Sequence, residues 1–168
     1  MEIIKNNLKT FLLTSAIILG IFLVDRTTKI YIINLAELKN IDIYITEYLN
    51  FYLVWNQGIS FGLFSTDHNF MYKLITTIII IIIIILIIML IKEYSKVKRY
   101  GFIVVLGGAF GNLFDRMYYL AVPDFIDFHI GDFHWFIFNV ADIFITMGVI
   151  CLIYAEIFFN KEKNEKTF

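Results

Sequence analysis

Polar stretches divide the chain into four apolar blocks. Thr10–Val24 runs 15 residues without a charge, Leu74–Ile91 runs 18, and Tyr100–Phe114 runs 15. Phe133–Ala155 runs 23, with His134, Asn139 and Asp142 as its strongly polar members. The second block includes eight consecutive isoleucines, Ile78–Ile85. A helix needs about 20 residues to cross the hydrocarbon core, with a working range of roughly 17–25. The second and fourth blocks meet that length unaided, whereas the first and third must carry polar residues into their outer ends. β-branched runs disfavour helix in water, but in lipid every backbone group must be paired within its own segment. The pattern predicts a membrane α-helical protein of four transmembrane helices, approximately 10–28, 70–91, 100–117 and 135–158, in a single domain.

The segments between the spans have a pattern of their own. "IDIYITEYLNFYLVWNQGISFGLF" alternates at Ile41, Ile43 and Ile45, is rich in Tyr, Phe, Val and Trp, and has a turn at "NQG". This predicts a small β-rich segment over about 40–65, lying on the membrane surface with Trp55 at headgroup level. The second outer stretch, "MYYLAVPDFIDFHIGDF", mixes Asp124 and Asp127 with Phe125, Ile126 and Phe128 and holds the only proline, Pro123. It reads as a short amphipathic helix or loop pressed onto the outer face.

Composition agrees with a membrane protein. Of 168 residues, 60% are hydrophobic and 17% charged, with mean hydropathy +0.77. Soluble domains have roughly 45–50% and about 25%. A net charge of −1 implies no nucleic-acid partner. The single cysteine, Cys151, cannot form an internal disulfide. Nine basic residues lie in the N-terminal tail, the loop "KEYSKVKR" and the C-terminal tail, against five spread over the other side. The positive-inside rule then puts both termini in the cytoplasm. A cleaved signal peptide is not expected, because "FLVDRTTK" lacks a small-x-small site and further spans follow.

Ionisable groups within the hydrocarbon are costly, about 2.5–3.5 kcal/mol each on insertion scales, so each is a functional candidate. Asp142 precedes Glu156 by 14 positions, which at 1.5 Å per residue is about 21 Å from the inner end of the span. That lies in the outer third of the membrane, with Asn139 three residues earlier. In "GGAFGNLFDR", Gly107 and Gly111 form a small-xxx-small pair that lets another helix approach. Asn112, Asp115 and Arg116 follow as one stripe, and Asp25 and Lys29 are spaced as an i,i+4 ion pair. A guanidinium at Arg116 near two carboxylates would hold one ionised or orient a peptide carbonyl. All these groups lie at the outer ends of the spans and almost none in the inner half, which favours a shallow site over a transport path.

Two carboxylates in a low dielectric share a proton, one activating water and the other acting as acid towards a carbonyl oxygen. Amide hydrolysis by an aspartyl pair therefore suits this composition and needs no metal or cofactor. Asp124 and Asp127 both remain candidates to partner Asp142. His129, Asp132 and His134 are close enough in sequence to crowd a cation, but interfacial histidines are common and no metal ligand is assigned. Ser60 with Lys29 is a possible nucleophile pair. From another functional class, a small proton-coupled transporter or assembly factor would use Asp142 as a relay.

"DRTTK" (25–29), "NQGISFG" (56–62), "GGAFGNLFDR" (107–116), "VPDF" (122–125) and "FNVAD" (138–142) resemble, in order and spacing, five motif blocks of bacterial lipoprotein signal peptidases, the signal peptidase II family. The resemblance implies that Asp124 and Asp142 are the catalytic pair. It implies that Asn56, Gly58, Asn112, Arg116 and Asn139 bind or support substrate, with Asp25, Lys29 and Asp115 as supporting polar positions. It further implies cleavage of diacylglyceryl-modified prolipoproteins on the N-terminal side of the lipidated cysteine, in the bacterial cytoplasmic membrane, and sensitivity to globomycin-type inhibitors. Two positions depart from the family pattern: Pro123 stands where a β-branched residue is usual, and Phe110 where Leu is usual.

Overall fold

The computed structural model describes residues 2–39, 43–58 and 68–159. Four helices and four strands follow one another along the chain: α1 (Glu2–Lys39), β1 (Ile43–Thr46), β2 (Leu49–Asn56), α2 (His68–Lys92), α3 (Lys96–Tyr119), β3 (Val122–Ile130), β4 (Phe133–Phe138) and α4 (Val140–Phe159). Among the described residues, three helices are long and apolar enough to cross a membrane, over 8–38, 70–92 and 140–158. Ser60, the C-terminal lysines and parts 40–42 and 59–65 of the expected β-rich segment lie outside the described residues.

α3 is the central helix and packs against α1, α2 and α4. Its small residues make this possible. A Cβ on Gly108 would stand 2.4 Å from the Ala141 carbonyl oxygen of α4, and one on Gly107 would stand 2.7 Å from Ile21 of α1. Further in, Ile83, Leu90, Phe102, Ile103 and Leu106 form the buried apolar cluster between α2 and α3. Most of the α2 isoleucines face outward, with Ile81, Ile82, Ile84 and Ile85 all exposed. On a water-soluble chain that stripe would be an aggregation liability, whereas in lipid it faces a solvent of its own kind.

The four strands form one antiparallel sheet in the order β1-β2-β3-β4. Here the structure corrects one expectation: residues 122–138 form strands and not an amphipathic helix or loop. The reason is pairing. β2 on its own would present an open edge, and β3 covers it from Leu49↔Phe128 to Asn56↔Val122. β4 pairs with β3 only from Ile126 outward. Pro123, which has no N–H to give, therefore sits where β3 has a single neighbour. Because β4 takes residues 133–138, the last helix begins at Val140, five positions after the predicted 135.

Candidate active site

The site is built where the sheet meets the C-terminal halves of α1 and α3 and the N-terminal start of α4. Asn56 closes β2. Its side-chain nitrogen donates to Asp124 Oδ2 at 2.9 Å, and its Oδ1 accepts from the Gly58 backbone N–H at 2.7 Å. The predicted "NQG" turn is thus an Asx turn, with Gly58 at φ 78°. A Cβ there would also crowd the Arg116 guanidinium, 3.0 Å from both Nη atoms.

Asn139 is the residue between β4 and α4, so it caps the helix and does not lie along its face as expected. Asp142 N–H donates to Asn139 Oδ1 and the Asn139 N–H donates to Asp142 Oδ2, both at 3.1 Å. This reciprocal pair is a capping box with Asn in the cap position and Asp three residues on. The other end of the Asn139 amide donates to Asp124 Oδ1 at 2.6 Å. Asn139 therefore holds the Asp124 carboxylate with its side chain and the Asp142 carboxylate with its backbone. Asp142 Oδ1 also accepts from Asn112 Nδ2 of α3 at 2.8 Å. Asp124 is only 4% exposed. Burial pushes its carboxyl up from the ordinary 3.8 to about 6, and the Asp142 charge adds to the rise, while the amides of Asn56 and Asn139 and the Lys29 charge act against it.

Beneath these carboxylates lies a buried ionic support. Lys29 Nζ donates to Asp25 Oδ2 at 2.8 Å, Asp115 Oδ2 at 2.6 Å and Asn112 Oδ1 at 2.8 Å, which uses all three of its protons. Asp25, Lys29 and Asp115 are fully buried. Asp25 Oδ1 in turn accepts from the Ala141 N–H at 2.8 Å, which meets one of the open donors at the start of α4. Gly111 lets this happen, because a Cβ on it would fall 2.4 Å from Asp25 Oδ2. Through Asn112, the support reaches Asp142.

Comparison with known proteins follows the same residues. A sequence model of the family described as Signal peptidase (SPase) II matches residues 17–158. The chain belongs to the signal peptidase II family. It is an aspartic endopeptidase of that family. It is 57% identical over 164 residues to the lipoprotein signal peptidase of Pelagibacter ubique (strain HTCC1062), covering 96% of this chain and 98% of that one. It is 42% identical to that of Anaplasma phagocytophilum (strain HZ), over 79% of this chain and 84% of the relative. Among solved structures it is similar to a bacterial membrane enzyme determined by the in meso method at 1.9 Å resolution, with TM-score 0.68 and 32% identity over 84% of this chain and 90% of that one. A second such structure, at 2.3 Å resolution, gives TM-score 0.63 and 29% identity over 86% and 87%.

Within this signal peptidase II chain the expected site residues divide into groups. Asn56, Gly58, Asn112, Asn139, Asp25, Lys29 and Asp115 all join Asp124 and Asp142 in one continuous set of contacts. Arg116, placed on one stripe with Asn112 and Asp115, is outside this hydrogen-bonded set. Its guanidinium lies 5.9 Å from the Tyr72 ring centroid, beside Gly58, and its Nη1 is buried with no hydrogen-bond partner among the described residues. The arginine on Asp115 is Arg26, which also donates to the Tyr119 hydroxyl and lies 5.0 Å over the rings of Phe114 and Tyr119. Sequence reasoning counted Arg26 only for membrane orientation. Its place beside Asp25 at an apolar span's end was the available signal.

Asp124 and Asp127 are three apart on β3, so their side chains leave opposite faces of the strand. Asp127 is paired instead with His134, whose Nδ1 lies 2.9 Å from Asp127 Oδ2. His129 completes that group, and Asp132, expected beside the histidines, is replaced there by Asp127.

Proposed function

We propose that Asp124 and Asp142 are the catalytic pair of a peptidase that removes signal peptides from diacylglyceryl-modified prolipoproteins, cutting on the N-terminal side of the lipidated cysteine. α3 also crosses the membrane, as the third of four spans, both termini are cytoplasmic, and the carboxylates lie near the outer leaflet of the bacterial inner membrane. Two acyl chains anchored in that leaflet bring the scissile bond to the same depth, with the signal peptide lying in the membrane beside the spans. The outer sheet cradles the mature part of the substrate. The buried free Nη1 of Arg116, facing Gly58, is ready to donate to a substrate carbonyl. A globomycin-type cyclic peptide would compete for this site.

One observation carries the reading: Asn139 holds both carboxylates, that of Asp124 through its side-chain N–H and that of Asp142 through its backbone N–H. Burial raises the Asp124 carboxyl and the Asp142 charge adds a smaller push, which favours keeping a proton on the pair. The ionised member takes a proton from water as its oxygen attacks the peptide carbonyl carbon. The protonated member gives its proton to the carbonyl oxygen, forming a neutral tetrahedral diol. Collapse breaks the C–N bond: the proton first taken from water passes to the leaving cysteine nitrogen, and a diol hydroxyl returns its proton to the carboxylate that had given one, which restores the singly protonated pair. Reconstituted Asp124→Asn and Asp142→Asn variants should each leave a diacylated prolipoprotein at its uncut mobility on a gel. Normal processing by either variant removes that residue from the pair.

A further inference from the structure

The β3–β4 hairpin turns at Gly131–Asp132, with Gly131 at φ 58° as a tight two-residue loop between Ile130 and Phe133 demands. Below this turn, His129 and His134 are direct cross-strand partners, and their rings stack with centroids 5.0 Å apart and 21° between planes. Asp127 is two residues before His129, so both project from the same face of β3. One ligand-capable atom from each of the three residues lies within 4.8 Å of the other two. None of them touches the Asp124–Asp142 pair through any contact described above.

An ordinary Asp–His hydrogen bond accounts for Asp127 and His134. It does not account for His129, which is 8% exposed and whose Nδ1 is buried without a hydrogen-bond partner, 3.7 Å from Asp127 Oδ2. A buried imidazole nitrogen aimed at a carboxylate but beyond hydrogen-bond reach calls for a third atom between them.

We infer that Asp127, His129 and His134 form a binding site for one divalent cation of the zinc class on the outer hairpin. Zinc bonds to imidazole nitrogen and carboxylate oxygen are about 2.0–2.2 Å long, which sets tetrahedral ligand atoms roughly 3.4 Å apart. The contacts at Asp127 Oδ2, 2.9 Å to His134 and 3.7 Å to His129, bracket that spacing, so small side-chain rotations complete it. Two imidazoles with one carboxylate select zinc or its transition-metal neighbours over calcium and magnesium, which take oxygen ligands. His134 is 57% exposed at its side chain, which provides the entry path and leaves a fourth position for water. The ion would join β3 to β4 across the turn and stiffen the outer end of the strand that carries Asp124. This site does not depend on how peptide cleavage is assigned.

The test uses the full chain in detergent micelles, free of any histidine tag and stripped of metal, titrated with zinc alone in a calorimeter. The expected result is one zinc per chain, with His134→Gln weakening binding by at least about tenfold. Zinc should raise the melting temperature of the unaltered chain and leave that of His134→Gln unchanged, and calcium in excess should not displace it. Because His134 is largely exposed, this variant should fold even if His129→Gln does not. Absence of zinc binding by the unaltered chain, or equal affinity in His134→Gln, overturns the inference.

Discussion

Gly111→Ala tests the support beneath the carboxylates with a single added methyl group. The new Cβ would sit 2.4 Å from Asp25 Oδ2, where 3.4 Å is the lower end of ordinary contact. The carboxylate must therefore retreat by about 1 Å, enough to carry Oδ2 out of reach of Lys29 from its present 2.8 Å. Overpacking of this kind costs about 1–3 kcal/mol. Loss of a hydrogen bond to a charged group adds about 1.5–3 kcal/mol. Replacing glycine by alanine within a helix returns about 0.8–1 kcal/mol. The net expectation is a loss of about 2–5 kcal/mol, read as a lower melting temperature in detergent, with slower cleavage because Asp25 also holds the Ala141 N–H that starts α4. Gly20→Ala is the control. Nothing lies within 4 Å of its new Cβ, so it should match or slightly exceed the parent in stability. The decisive measurement is a double-mutant cycle. With Asp25→Ala already present, the nearest remaining atom to the Gly111 Cβ position is the Ala141 Cβ at 3.5 Å, an ordinary contact. Gly111→Ala should then cost almost nothing further. An equal cost in both backgrounds would refute the reasoning.

Three further outcomes are expected. Lys29→Met leaves Asp25 and Asp115 without their shared cation and should destabilise the chain by about 3–5 kcal/mol in a detergent melt; a change under about 1 kcal/mol contradicts the support role. Asp124 titrates at 3.8 unfolded and about 6 folded, so the folded chain holds a proton that the unfolded one has lost within that window. Stability should accordingly fall as pH rises from about 4 to about 6, by up to about 3 kcal/mol, and level off above; Asp124→Asn should flatten that slope whatever its absolute stability. Asp127→Asn should retain substantial prolipoprotein cleavage, because Asp127 leaves the opposite face of β3 from Asp124, and complete loss would reopen the choice between them.

Much of this site was legible before any coordinates, and the limits follow from interaction range. Asp25 and Lys29 lie one helical turn apart, so their pairing needed only helix geometry. The Gly107–Gly111 spacing announced a close helix approach but not its partner, since spacing carries no information about which surface arrives. Arg116 was grouped with Asn112 and Asp115 because their spacing puts them on one helical stripe. The arginine that reaches Asp115 is Arg26, on another helix and 89 positions away. Strands β3 and β4 escaped notice for a related reason. Mixed acidic and aromatic residues fit an interfacial helix, a loop or a strand equally well, and only the open edge of β2 selects the strand.

Hydropathy, charge asymmetry and ordered motifs by themselves determined that this is a helical membrane protein of the signal peptidase II type with its polar groups at one end. Those properties are sums over neighbouring residues, and such sums survive without knowledge of the fold. Tertiary structure alone decided that Asn139 contacts both Asp124 and Asp142, that Arg26 as well as Lys29 pairs with Asp115, and that Asp127 belongs with two histidines. Each of these depends on atoms from distant segments meeting within about 3 Å, the reach of a hydrogen bond.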